Sequence, residues 1–178
     1  IYAVDLLSGT EKWRRATGGA VIARPLIFKN RVVVGSFDKK LYVLSEENGI
    51  PVWGDQSFFP GMNNFQQAHN WFWAGAVADN STIFAANMDG NVYAIDTEGN
   101  LRWKQQLDGP IASTPVVMPT GLVVATKKGD VKRLDLSNGT INGLPRLASE
   151  VRSPLSVASA INHNALDFSQ QDQISQFL

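Results

Sequence analysis

The stretch IYAVDLLSGTEKW (residues 1–13) recurs as LYVLSEENGIPVW (41–53), as VYAIDTEGNLRW (92–103) and, more weakly, as VKRLDLSNGTING (131–143). A repeat at this period has to be read before any single element, because each unit is one supersecondary module and stacking the modules makes the core. Trp13, Trp53 and Trp103 hold one repeat position, and Tyr2, Tyr42 and Tyr93 another. Gly9, Gly49, Gly99 and Gly139 form a third series, and Asp5, Asp96 and Asp135 a fourth, with Ser45 in the remaining unit. Pro25, Pro115 and Pro154 mark one more position, which Ala76 holds in the unit between.

Within each unit the pattern is that of short strands. RVVVGS (31–36) and STIFAAN (81–87) are β-branched and apolar runs of strand length. The polar tetrads FDKK, MDGN and KKGD that follow such runs read as hairpin turns, with Gly90 and Gly129 supplying positive φ. LYVLS and VYAID alternate as the returning strand, and LLSGT, EENGI and TEGN make a second hairpin at a glycine that tolerates left-handed backbone. EKWRR, PVWGD and LRWKQQ then read as a fourth, outer strand. Four antiparallel strands in about 40 residues is a propeller blade, so the expected fold is all-β. No helical periodicity appears before residue 156.

The recurring tryptophan has a structural rationale. Full burial removes roughly 150–250 Å² from water, about 4–6 kcal/mol gross, and the indole N–H still needs an acceptor. An outer-strand indole that slides between two sheets and bonds to a neighbouring backbone carbonyl meets both needs. Trp13, Trp53 and Trp103, with Gly9, Gly49 and Gly99, are the predicted docking residues. In the fourth unit Gly143 stands where the tryptophan would be, so that seam is expected to be weaker or terminal.

The pattern Ala-x-Asp-x-x-x-Gly-x-x-x-Trp resembles the tryptophan-docking motif of the pyrroloquinoline-quinone (PQQ) dehydrogenase propellers and their non-enzymatic relatives. Ala3, Asp5, Gly9 and Trp13 fill it; Gly49 and Trp53 fill it in part; Ala94, Asp96, Gly99 and Trp103 fill it with one residue deleted. The resemblance covers residues 1–155. It implies blade units at 1–17 (partial), 21–57, 74–107 and 112–143, with another starting at 151 and a tail or degenerate closing strand over 156–178. The first unit has only its last two strands, which fits either a piece of a longer propeller or a four-bladed ring closed by the C-terminal strands.

Composition narrows the function. Sixteen Lys+Arg balance sixteen Asp+Glu, so the basic excess of a nucleic-acid binder is missing. No apolar run is long enough to span a membrane. Cysteine is absent, which removes disulfides, thiolate metal sites and a cysteine nucleophile. His69 and His163 are the two histidines and lie far apart, and no hydrolase, zinc or P-loop motif occurs.

The enzymatic branch of the resembled family implies PQQ with Ca²⁺ and oxygen ligands for the ion. Here Asp5, Asp96 and Asp135 are repeat residues at hairpin shoulders, where a carboxylate accepts backbone N–H groups. No cofactor and no metal is therefore expected. The resemblance implies a non-catalytic binding or scaffold module of the bacterial cell envelope, similar to the outer-membrane assembly factors (BamB-like), with protein partners. A fragment of a PQQ- and calcium-dependent alcohol or sugar dehydrogenase is the alternative.

One segment breaks the period. Spacing between repeat tryptophans grows from 40 to 50 residues, and the surplus lies in DQSFFPGMNNFQQAHNWFW (55–73). Phe58, Phe59, Phe65, His69 and Trp71 form the candidate interaction loop, since loops on a rigid β scaffold carry binding and aromatics with Met and Asn suit a contact surface. A loop that folds its aromatics back as a cap is the competing reading. WFWAGAV (71–77) is predicted to start the innermost strand, burying Trp71 or Trp73 by alternation.

Overall fold

The computed structural model describes residues 1–53, 70–143, Val151 and Leu155. Among these residues there are thirteen strands and no helix. The first sheet pairs β1 (Tyr2–Val4) with β2 (Glu11–Arg14); the second holds β3 (Leu26–Phe28), β4 (Arg31–Gly35) and β5 (Leu41–Ser45). The third is β6 (Val77–Ala78), β7 (Thr82–Ala86), β8 (Asn91–Asp96) and β9 (Leu101–Gln106). The fourth is β10 (Val116–Met118), β11 (Gly121–Ala125), β12 (Val131–Leu134) and β13 (Ile141–Gly143). Every strand pairs antiparallel with its neighbour in sequence, the meander expected of blades.

The hairpins form where the turn residues placed them. Lys39 (φ 71°), Gly90 (φ 85°) and Gly129 (φ 86°) take the left-handed position of the first turn. Lys39 is the non-glycine among them and carries the steric cost that glycine avoids. The sequence reading fails at the outer strand of the second sheet. PVWGD was expected to run as a strand, but among the described residues the pairing shrinks to a bridge between Leu44 and Pro51, with Val52 N–H donating to Val43. Ser45 N–H also donates to Ile50, so both bonds around the Leu44–Pro51 pair are made and the proline stands where a residue's N–H would face away from β5.

The sheets stack face to face, and three apolar clusters fill the gaps. Between the first and second lie Trp13, Val32, Val34, Tyr42 and Leu44. Val33, Val43, Trp53, Phe72, Ile83 and Ile95 lie between the second and third, and Phe84, Val92, Trp103, Leu122 and Leu134 between the third and fourth. In the second and third sheets, alternate residues of β5 and β8 thus face opposite neighbours, which is why these strands read as nearly continuous apolar runs.

A lead-in segment precedes each inner strand and crosses the first hairpin of its own sheet. The bond recurs three times: Phe37 N–H to Ala20, Met88 N–H to Trp71 and Lys127 N–H to Pro110, at 2.9, 3.0 and 2.7 Å. Ala20, Trp71 and Pro110 are therefore structurally equivalent, as are Phe37, Met88 and Lys127.

Candidate functional site

The tryptophans occupy the seams in one repeated geometry. Trp13 Nε1–H donates to the Glu46 carbonyl at 2.8 Å, Trp53 to Thr97 at 3.1 Å and Trp103 to Leu136 at 3.0 Å. Each acceptor lies in the hairpin of the following sheet, one residue after the Asp or Ser of the motif. At the seams of Trp13 and Trp103 the glycine of that hairpin forms the floor. A Cβ on Gly49 would sit 2.6 Å from Trp13 Cε3, and one on Gly139 2.7 Å from Trp103 Cε3. Gly9, Gly49 and Gly99 have φ of 69°, 70° and 91°.

The motif aspartates are committed to their own hairpins. Asp5 Oδ1 accepts the N–H groups of Ser8 and Leu7 and the Ser8 hydroxyl, with Lys12 Nζ 3.4 Å from Oδ2. The Ser8 N–H is the largest of the effects that lower its pKa from 3.8 to about 2. At Asp135 the Ser137 hydroxyl leads, followed by the N–H groups of Ser137 and Asn138, and the pKa again falls. Burial works in the opposite direction at Asp96, but bonds from Asn100 and Glu98 outweigh it and its pKa is also lowered. Among the described residues no three His, Cys, Asp or Glu side chains gather as a metal would require. These carboxylates, spread over three sheets, do not fit the oxygen cage that a PQQ–Ca²⁺ centre needs.

Their pKa shifts give a pH dependence of known sign. A carboxylate with a depressed folded pKa contributes stability above its unfolded value, and that stability is lost as pH falls through the folded value. Stability should therefore decline on acidification from about pH 4 towards pH 2. Thermal melts at pH 6 and at pH 2.5 check this. A variant carrying Asn at Asp5, Asp96 and Asp135 should show a smaller difference between the two conditions than the parent; an equal difference would place the acid-sensitive groups elsewhere.

Two exposed indoles gather beside Phe37 on one rim. Phe72 is buried between Gly35, where a Cβ would lie 2.4 Å from Phe72 Cβ, and Tyr93, whose ring centroid is 6.1 Å away. Trp71 and Trp73 flank it on the other side of the extended chain, 43% and 40% exposed. Both stack on Phe37, with centroids at 5.0 and 5.3 Å and interplanar angles of 14° and 28°. The expectation that this segment buries Trp71 or Trp73 is thus corrected: alternation holds, but Phe72 is the buried residue. Nor do residues 70–76 form a strand; the innermost strand begins at Val77.

Local bonds hold the rim in place. Asn70 Oδ1 accepts the Trp71 N–H at 2.9 Å, and Ser36 accepts the Phe72 N–H at 3.3 Å. Beside Phe37, Asp38 Oδ2 accepts both the Tyr42 hydroxyl and the Gly18 N–H. Burial first, and then this carboxylate, push the Tyr42 hydroxyl pKa up. Of the candidate loop residues, Trp71 belongs to this rim, whereas Phe58, Phe59, Phe65 and His69 lie outside the described residues. Phe37 is the contributor that sequence reasoning missed, because it sits in a tetrad read as a polar turn.

A family model described as outer membrane protein assembly factor BamB matches residues 1–68 and again 61–162. The chain belongs to this BamB family of PQQ-like repeats. BamB of Yersinia pestis is 25% identical over 153 residues, which cover 79% of this chain and 37% of that protein. BamB of Taylorella asinigenitalis is 27% identical over 172 residues, 87% of this chain and 41% of that one. The chain thus spans less than half the length of these curated BamB relatives. Among solved structures, BamB from Moraxella catarrhalis is similar at TM-score 0.68 and 22% identity, covering 86% of this chain and 48% of its own. The computationally designed Ika8 protein is similar at TM-score 0.70 and 18% identity, covering 88% and 46%. With the stacked sheets, these similarities establish the fold as a β-propeller of four-stranded antiparallel blades.

Proposed function

We propose that this chain is part of a non-catalytic propeller scaffold of the bacterial cell envelope, which holds protein partners against its rim. Membership of the BamB family supports the scaffold reading over the dehydrogenase alternative, and the relatives' name, outer membrane protein assembly factor, supports the envelope location. One observation carries the choice of surface: two indoles share one phenyl ring and remain about two-fifths exposed. Aromatic side chains presented on a rigid frame give large contact area at small conformational cost.

The test separates binding from folding. Changing Trp71 and Trp73 together to Ser should cost about 1–3 kcal/mol of stability, because two stacked pairs are lost and each contributes roughly 0.5–1.5 kcal/mol. A photoreactive residue at Trp73 should give a discrete adduct with an envelope protein in living cells, and the added change Trp71→Ser should weaken it. The same probe at Ile27, an exposed residue of β3, is the control. Adducts no stronger than those from Ile27 would remove the rim from the binding function. Saturable uptake of added PQQ and Ca²⁺ would overturn the scaffold reading itself.

A further inference from the structure

The rim that carries Trp71 and Trp73 belongs to a ribbon in which each lead-in segment ties two hairpins together. Phe72 N–H donates to Ser36 in the hairpin of the second sheet, and Trp71 accepts from Met88 in the hairpin of the third. One sheet on, Ile111 N–H donates to Asn87 at 3.2 Å and Pro110 accepts from Lys127 at 2.7 Å. The hairpins at 36–40, 87–91 and 126–130 are thereby fixed side by side. Their shoulder residues change from aromatic through thioether to cation: Phe37, Met88, Lys127.

Charge is segregated between the two ends of the sheets, although the chain as a whole is neutral. The hairpins at the opposite end, 5–10, 45–50, 96–100 and 135–140, hold Asp5, Glu46, Glu47, Asp96, Glu98 and Asp135 and no Lys or Arg. The rim hairpins hold Lys39, Lys40, Lys127 and Lys128 against Asp38, Asp89 and Asp130. Asp38 is turned into its own hairpin, where it accepts the Lys40 N–H and the Tyr42 hydroxyl, and Asp89 accepts the Asn91 N–H. Lys128 is paired with Asp108. Lys39 and Lys127 make no ion pair among the described residues. One ammonium group thus stands in the hairpin of Phe37 and one at the far end of the ribbon. An anionic partner is attracted to this end and repelled by the other.

Spacing sets the length of what fits. Sheets packed face to face lie about 10 Å apart, so the ribbon from Phe37 to Lys127 crosses roughly 20 Å. An extended chain covers that distance in about six residues. We propose that the rim receives an extended acidic segment of a partner protein, with an apolar side chain on Trp71 and Trp73 and carboxylates against Lys39 and Lys127. This rests on the rim being the partner-binding surface and names the chemistry of the partner. An anionic bilayer suits aromatic and cationic groups too, but charge-driven attachment takes clusters of about four to eight cations. Lys39 and Lys127 fall short of that.

The probe is a fluorescein-labelled octapeptide, LFSGSDED, whose apolar and acidic ends match that spacing. Its anisotropy should rise saturably on titration with the chain, and the neutral analogue LFSGSNQN should bind about tenfold more weakly. Lys39→Gln with Lys127→Gln should weaken the acidic peptide by about the same factor. Lys12→Gln with Lys29→Gln removes equal charge at the opposite end, beside Asp5 and the Asn30–Glu46 bond, and should leave binding unchanged. No saturable binding, equal binding of the two peptides, or equal effects of the two charge variants would overturn the proposal. So would binding to phosphatidylglycerol vesicles that Lys39→Gln with Lys127→Gln abolishes, which would make a membrane the occupant. The adduct formed in cells from Trp73 keeps the two readings apart. If it survives undiminished in the Lys39→Gln, Lys127→Gln variant, the rim still binds protein and the acidic class of partner is wrong.

Discussion

Replacing Trp103 with alanine is expected to lower the unfolding free energy by about 3–5 kcal/mol, the range for emptying a buried aromatic site. The ring is buried between the third and fourth sheets, its centroid 5.8 Å from that of Phe84. The Gly139 floor cannot rise to fill the space, because the Gly139 N–H is tied to Asp135. Two further variants partition the loss. Trp103→Phe keeps most of the apolar volume but removes the N–H that donates to Leu136, and should cost the smaller share, with about 1 kcal/mol coming from the lost bond. Gly143→Ala, at the position where the fourth unit lacks a tryptophan, should stay within about 0.5 kcal/mol. Urea unfolding of the three variants decides. A Trp103→Ala effect as small as that at Gly143 would mean that the indole does not anchor the seam.

The fold was legible because its determinants are local and repeated. Turn glycines at fixed offsets and apolar runs of strand length specify each hairpin within a dozen residues, and a repeat supplies several independent readings of the same register. Where the repeat was trusted over the residue, the reading failed. Trp53 sits at the correct repeat position, but among the described residues the regular pairing beside it amounts to the bridge between Leu44 and Pro51. The docking tryptophan still reaches the next sheet, donating to Thr97.

The rim was legible in period but not in phase. An extended segment WFW must put its middle residue opposite the outer two, and nothing within the segment says which side is the interior. That choice is made by Gly35, distant in sequence, which leaves space for the Phe72 ring against β4. Phe37 escaped notice for a related reason: a turn tetrad is polar on average, and the one aromatic in it becomes meaningful only when Trp71 and Trp73 stack on it.

Gly49→Ala is expected to be far more damaging than Gly9→Ala, although both change the same motif glycine at φ of 70° and 69°. Left-handed backbone costs an alanine about 1–2 kcal/mol at either site. At Gly49 the added methyl also comes within 2.6 Å of Trp13 Cε3 and 2.7 Å of Cδ2. The indole is held by its bond to Glu46 and cannot retreat without breaking it, which adds about 1–3 kcal/mol of overpacking. At Gly9 the methyl meets no atom within 4 Å, so only the backbone cost remains. A double-mutant cycle isolates the collision: combined with Trp13→Ala, the Gly49→Ala change should lose its overpacking part, giving a coupling of about 1–3 kcal/mol. Equal costs at the two glycines would show that backbone strain alone governs the motif.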